Sequence, residues 1–306
     1  MNTPTASSSL TVACSAGLRL VAIAFTLALA PVVRASLLAD TFESGSLDTA
    51  TWTLGSTGSL GTGQVRSGNL VLDVNQQTHG ARTAVVTDAH NFNPFDSPVS
   101  VSLSGLSLDG DPGPSFNMLY SAIGRLPTDT GGAATGALAA SYSAGGLYDI
   151  GGAFGVALLR FSSGNRIQIL DSGARLSVKQ VQAALNGTPT DMTYRIDGAN
   201  ATWTLSIVGA TFSRPFIVNN LKATVVDATT ITGTLINFTA AGLTVGEKTV
   251  SRFILGANNG NGVLDGAIAT FGAVEFVSSE IPEPSSLPLI APGRTDASAE
   301  TGDRMQ

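Results

Sequence analysis

The side chains able to do chemistry are few in this sequence and far apart. Between residues 36 and 280 the glutamates are Glu43, Glu247, Glu275 and Glu280. Cleaving a glycosidic bond takes two carboxyl groups, one to protonate the leaving oxygen and one to attack or to activate water. No Glu-x-Asp-x-Glu run occurs, and Glu275 stands alone in Ala273-Val274-Glu275-Phe276, where it reads as a solvent-facing residue of an edge strand. The two histidines are His79, in Thr78-His79-Gly80, and His90, in Asp88-Ala89-His90-Asn91. Zinc takes several nitrogen or sulfur ligands at close spacing, so both read as surface-loop residues. No Gly-x-Ser-x-Gly elbow precedes a helix, and Gly151-Gly152 lacks the Lys-Ser or Lys-Thr of a phosphate loop.

Two oxygen-rich turns are better placed. Leu108-Asp109-Gly110-Asp111-Pro112-Gly113 sets Asp109 and Asp111 two apart, and Asn258-Asn259-Gly260-Asn261-Gly262 is followed by Asp265. Calcium takes carboxylate, amide and backbone oxygens, so Asp109, Asp111, Asn258, Asn261 and Asp265 are its candidate ligands. The same residues also make ordinary hairpin turns without a metal. An aromatic face beside amides and carboxylates would suit a polyol ring, yet aromatics make up 6% of the chain. Trp52 and Trp203 alternate with threonine and read as core. Tyr142 and Tyr148 lie with Thr128, Asp129 and Asp149 in the Gly/Ala-rich stretch from Gly124 to Gly152. Long connections of that kind are functional or disordered, and Tyr142, Tyr148 and Asp149 are the candidate ligand-binding residues there.

The elements that must position these groups have a period of two. Leu70, Leu72 and Val74 share a face, Val99, Val101 and Leu103 alternate with serine, and Thr202 to Ile207 and Thr230 to Ile236 alternate likewise. Such alternation fits half-buried strands. Further strands are expected at 81–87, 116–123, 154–161, 166–171, 192–196, 223–226, 250–255 and 271–277, about a dozen in all. Ser67-Gly68-Asn69, Asp109-Gly110, Ser163-Gly164-Asn165 and Asp197-Gly198-Ala199-Asn200 supply turns. One short helix is expected from Ser177 to Asn186, with Ser177 as cap and Val178, Val181 and Leu185 on one face. This is an all-β chain, a two-sheet antiparallel sandwich. In 306 residues, 43% are hydrophobic and 12% charged, enough apolar matter for a core. The formal charge of −6 disfavours a nucleic-acid partner.

The two ends read as addresses. Arg19 precedes the apolar run Leu20 to Ala30, and Val33 and Ala35 are small residues at the −3 and −1 positions of a cleavage site. This predicts a secretory leader over residues 1–35, cut after Ala35, with an apolar run shorter than the roughly 20 residues of a membrane span. Cys14, the single cysteine, precedes the cut, so the mature chain would have no disulfide or Cys-bound metal and no stable membrane span. A sandwich domain is expected over 36–279, and a tail over 280–306.

Ile281-Pro282-Glu283-Pro284-Ser285-Ser286-Leu287 resembles the PEP-CTERM sorting signal of Gram-negative bacteria that make exopolysaccharide. In that family an apolar span and an Arg-rich tail follow. Here the chain continues PLIAPGRTDASAETGDRMQ, so the signal has either decayed or been replaced by a frameshift. A second resemblance spans most of 37–279. Leu38-Ala39-Asp40-Thr41-Phe42, Leu47 to Trp52, Ser67-Gly68-Asn69-Leu70-Val71-Leu72, the Trp203 strand and the closing Leu255 to Phe276 look like a concanavalin-like, laminin-G-type jelly roll. That resemblance implies that the first and last strands pair. Together these imply an exported, non-enzymatic module of the cell surface or extracellular matrix, handled by export and sorting machinery, with polysaccharide or a surface protein as partner and calcium as a possible ion. The alternatives are a carbohydrate-active hydrolase or lyase on the same fold, and a purely structural matrix protein.

Overall fold

The computed structural model describes residues 34–57, 61–74, 82–89, 91–110, 116–149, 152–180, 189–212, 214–218, 223–260 and 266–279. The expected leader up to residue 33 and the Pro282-Glu283-Pro284 motif lie outside them. Along the chain the strands are β1 (Arg34–Asp40), β2 (Trp52–Thr57), β3 (Thr62–Arg66), β4 (Asn69–Val74), β5 (Arg82–Thr87), β6 (Val99–Asp109) and β7 (Phe116–Arg125). After the helix α1 (Gly136–Asp149) come β8 (Gly152–Phe161), β9 (Gly164–Asp171), β10 (Ala174–Gln180), β11 (Thr190–Asp197), β12 (Thr202–Ile207), β13 (Arg214–Val218), β14 (Ala223–Val225) and β15 (Thr230–Thr234). A 3-10 turn at Ala240–Leu243 leads to β16 (Thr244–Val245), β17 (Lys248–Thr249), β18 (Arg252–Asn259), β19 (Ala267–Phe271) and β20 (Ala273–Ser279).

These strands build the expected antiparallel sandwich. One sheet runs β13-β10-β9-β8-β7-β18-β5-β2, and the other β14-β15-β12-β11-β6-β19-β4-β3, with β20 joining β6 and β1 joining β20. The long strand β6 serves two neighbours because it bends at Gly105, φ +62°. Before the bend it pairs β20, and beyond it β19. The first strand pairs the last, Ser36 opposite Val277 and Asp40 opposite Val274. The Asp40-Thr41-Phe42 and Trp52 segments are stapled together. Asp40 accepts hydrogen bonds from Phe42 N (2.7 Å) and from the Trp52 indole (2.8 Å). Trp52 and Trp203 are each 1% exposed, which places both in the core between the sheets.

The helix is where the sequence did not announce it. Ser177 to Gln180, the expected helix start, is strand β10, held on one side by β9 and on the other by β13; pairing on two sides overrides a weak local helical spacing. The remainder of that expected helix lies outside the described residues. The Gly/Ala-rich stretch supplies α1 instead. Thr135 caps it, its hydroxyl accepting from Leu138 N at 3.2 Å. Alanine favours the helix, and the small side chains let it pack closely on β2 and β5. Gly55 on β2 makes that approach possible, since a Cβ there would stand 2.1 Å from Ala140 N. A Gly55→Val substitution is therefore expected to cost about 1–3 kcal/mol, a drop of roughly 3–10 °C in Tm for a domain of this size, read from a thermal melt.

Candidate functional site

A polar recess opens at one end of the sandwich. Three segments far apart in sequence meet there: the β5–β6 connection, the β7–α1 connection and the β16–β17 hairpin. They enclose a cleft of about 340 Å³ lined by Asn91, Asn93, Asp96, Thr130, Gly131, Lys248, Thr249 and Val250. Two amides, one carboxylate, two hydroxyls and one ammonium face it, over the buried Val250.

Each wall is fixed from behind. Asn91 forms an isolated parallel bridge with Ser251, whose hydroxyl donates to the Phe92 carbonyl. The Phe92 ring packs edge-on against Phe276 at 4.6 Å. Asn93 accepts from Phe95 N at 3.0 Å, which turns the loop back on itself. The β7–α1 connection is held by a buried ion pair: Arg252 Nε lies 2.6 Å from Asp129 Oδ2, with the two side chains 0% and 1% exposed. The guanidinium uses its full fork. It also donates from Nη2 to Asp129 Oδ1 (3.2 Å) and Gly132 O (2.6 Å), and from Nη1 to Thr87 O (3.0 Å) and Asp88 O (2.9 Å). Asp129 further accepts from Gly131 N (2.9 Å) and from the Tyr142 hydroxyl (2.9 Å). Burial alone would push the Asp129 carboxyl up; the hydrogen bonds from Arg252, Gly131 and Tyr142 outweigh it and hold the carboxyl below its usual range. One side chain thus ties the β5–β6 and β7–α1 connections to strand β18.

Two expectations change here. Tyr142 is not an open ring face: it is fully buried, its hydroxyl bonded to Asp129 and accepting from Leu126 N at 3.1 Å. Burial, first of all, raises its phenol above the ordinary range. Its role is to hold α1 to the loop, because a helix presses it onto the sheet. Asn258 belongs to strand β18, 3% exposed, rather than to a loop. Asp109 ends β6 opposite Ile268. The side chains of Tyr148 and Asp149, and residues Asp111, Asn261 and Asp265, lie outside the described residues, as does His90. Among the described residues no group of three His, Cys, Asp or Glu side chains stands close enough to hold a metal.

Two further features were not foreseen. On the outer face of the eight-stranded sheet, Thr57, Arg82 and Asn258 stand side by side in register. Thr57 Oγ1, Arg82 Nε, Asn258 Oδ1 and the hydroxyl of Tyr120 have no protein hydrogen-bond partner. Tyr120 lies across Gly256, where a Cβ would meet its ring at 2.0 Å. On the outer face of the other sheet a cleft of about 480 Å³ is lined by Asp40, Ser102, Ser104, Asp191, Thr193 and Glu275, among others.

Solved structures share this architecture. Lectin II from Ulex europaeus superposes with a TM-score of 0.50 at 12% identity, over 80% of this chain and all, 100%, of that one. The lectin UEA-II complexed with galactose gives the same TM-score of 0.50 at 12% identity, over 80% and 100%. The chain is a concanavalin-like β-sandwich. An endo-1,3-beta-glucanase from Streptomyces sioyaensis is also similar, at TM-score 0.47 and 12% identity over 81% of this chain and 98% of that one. No family model and no curated protein matches the sequence. In this concanavalin-like chain no helix among the described residues is long and apolar enough to cross a membrane.

Proposed function

We propose that this chain is an exported, non-enzymatic carbohydrate-binding module of the cell surface or extracellular matrix, and that its end cleft takes the sugar. The observation that carries the reading is the cleft itself: amides, hydroxyls and a carboxylate converge on a small polar space, and a buried ion pair holds their loops still. Preorganised polar groups of this kind suit a polyol, because little conformational entropy remains to be lost on binding. The lectin UEA-II, complexed with galactose, lends the fold a precedent. The cleft has one carboxylate, Asp96, and hydrolysis of a glycosidic bond uses two. Export rests on the leader-like start and the Pro282-Glu283-Pro284 motif, and would place the module where polysaccharide is its partner.

A glycan array probed with and without EDTA tests the reading. Binding to at least one glycan class is expected, with Asp96→Ala weakening it about tenfold, the equivalent of about 1.4 kcal/mol. Silence across the array would overturn it. Loss of binding on chelation would show that a divalent cation takes part.

The hydrolase or lyase reading has one feature in its favour, the three carboxylates of the larger cleft. Asp40 is already committed to Phe42 N and Trp52, and Asp191 Oδ1 accepts from Gly105 N at 3.0 Å. Glu275 is exposed. Release of reducing ends from a polysaccharide, abolished by Glu275→Gln, would establish that reading in place of the first.

A further inference from the structure

We infer that the sugar accepted by the end cleft is an acidic one, a residue bearing a ring carboxylate as in the uronic acids; the inference rests on the carbohydrate-binding reading above. Lys248 and Asp96 both line the cleft. They do not neutralise each other: the ion pairs among the described residues are Arg195 with Asp197 and Arg252 with Asp129. Among the described residues neither Lys248 nor Asp96 forms an ion pair with any other side chain, and Glu247, next along the hairpin, is not part of the lining. A cation and an anion thus face one small space from different connections, each with its bonding capacity intact. In a ligand-free protein such charges are satisfied by water, and a ligand that displaces that water must replace what it gave.

Three classes of sugar can be set against this arrangement. A neutral sugar serves Asp96, which accepts from vicinal hydroxyls, but gives the Lys248 ammonium only neutral oxygens. An amino sugar also serves Asp96, yet brings a second ammonium into the space that Lys248 occupies. A uronate answers both, its carboxylate at Lys248 as a charge-assisted pair and its ring hydroxyls at Asp96 and the Asn91 and Asn93 amides. The cleft is therefore bipolar in the way that a uronate ring is bipolar, with one charged corner and hydroxyls elsewhere.

The test uses oligosaccharides containing glucuronate, galacturonate or mannuronate, each paired with its carboxyl-reduced neutral form, titrated into the full chain by calorimetry. The wild-type protein is expected to bind at least one acidic member about tenfold more tightly than its neutral counterpart. That ratio should shrink as salt rises from 50 mM to 500 mM, through the range where the Debye length falls below about 10 Å. In Lys248→Gln the ratio should fall close to one, with a melting temperature like that of the wild type because the ammonium supports no internal contact. Equal or better binding of the neutral forms, or a preference that survives Lys248→Gln, overturns the acidic-sugar inference and leaves the carbohydrate-binding reading standing. Binding of neither member of any pair overturns both.

Discussion

An Arg252→Met variant is expected to lose about 3–5 kcal/mol of folding stability, the usual consequence of removing one partner of a buried ion pair. Methionine fills much of the same space, so the loss would not come from a cavity. It would come from a carboxylate, Asp129, left 1% exposed with no counter-charge, and from the carbonyls of Thr87, Asp88 and Gly132 left without their donor. Denaturant unfolding measures it; a change below about 1 kcal/mol would mean the pair is structurally dispensable. Sugar affinity should fall as well, because the β5–β6 and β7–α1 walls of the cleft lose their common tie.

The same pair sets an acid limit. The Asp129 carboxyl titrates lower in the folded chain than in the unfolded one. Its contribution is therefore full above the unfolded value, about 3.9, and is lost as pH falls through the lower folded value. Denaturant midpoints measured from pH 7 to pH 2 should show this acid loss in the wild type, and a shallower one in Asp129→Asn, which starts from a lower plateau.

The second large effect is expected at Asp171, at the end of β9 and fully buried. Its carboxylate gathers three successive backbone N–H groups: Asn237 N donates to Oδ1 at 3.0 Å, Phe238 N to the same oxygen, and Ile236 N to Oδ2. This is an anion-binding turn whose anion is the protein's own side chain. It ties the segment after β15 to the end of β9, inside the eight-stranded sheet. Asp171→Ala takes the acceptor from the buried Phe238 and from the more exposed Ile236 and Asn237, whose N–H groups can turn to water; a buried donor left unsatisfied costs about 1–3 kcal/mol, so a loss of about 2–4 kcal/mol is expected. Asp171→Asn keeps one carbonyl oxygen and should fall between. Hydrogen exchange supplies a local readout: the amides of 236–238 should exchange far faster in Asp171→Ala, and unchanged protection there would refute the assignment.

The two-sheet architecture was legible because alternation is local: Leu70, Leu72 and Val74, or Trp203, Leu205 and Ile207, declare their face within six residues. The helix was not, because its sequence, GALAASYSAGGLYD, carries glycines that usually break helices and lacks a strong apolar stripe. It is stable because Gly55 lets it approach the sheet, a fact about another part of the chain. The cleft was hidden for the same reason. Asn91, Thr130 and the hairpin residue Lys248 carry no signal until three connections meet, and Asp129 and Arg252 are 123 positions apart. One signal was available: Arg252 interrupts the apolar run from Val250 to Leu255, and a charge inside such a strand needs a buried partner. The resemblance of Asp40, Phe42 and Trp52 to a jelly-roll start was more direct, since those residues touch one another.

The order of strands within the sheets has a consequence for how this chain is made. β18 sits between β5 and β7, and β19 and β20 both lie against β6. The strands between Arg252 and Ser279 thus fill central places in both layers, and β1 waits for β20. Folding of this kind depends on contacts distant in sequence and is slow. Neither sheet can therefore close until that segment has emerged, and the two layers must form together rather than one hairpin at a time.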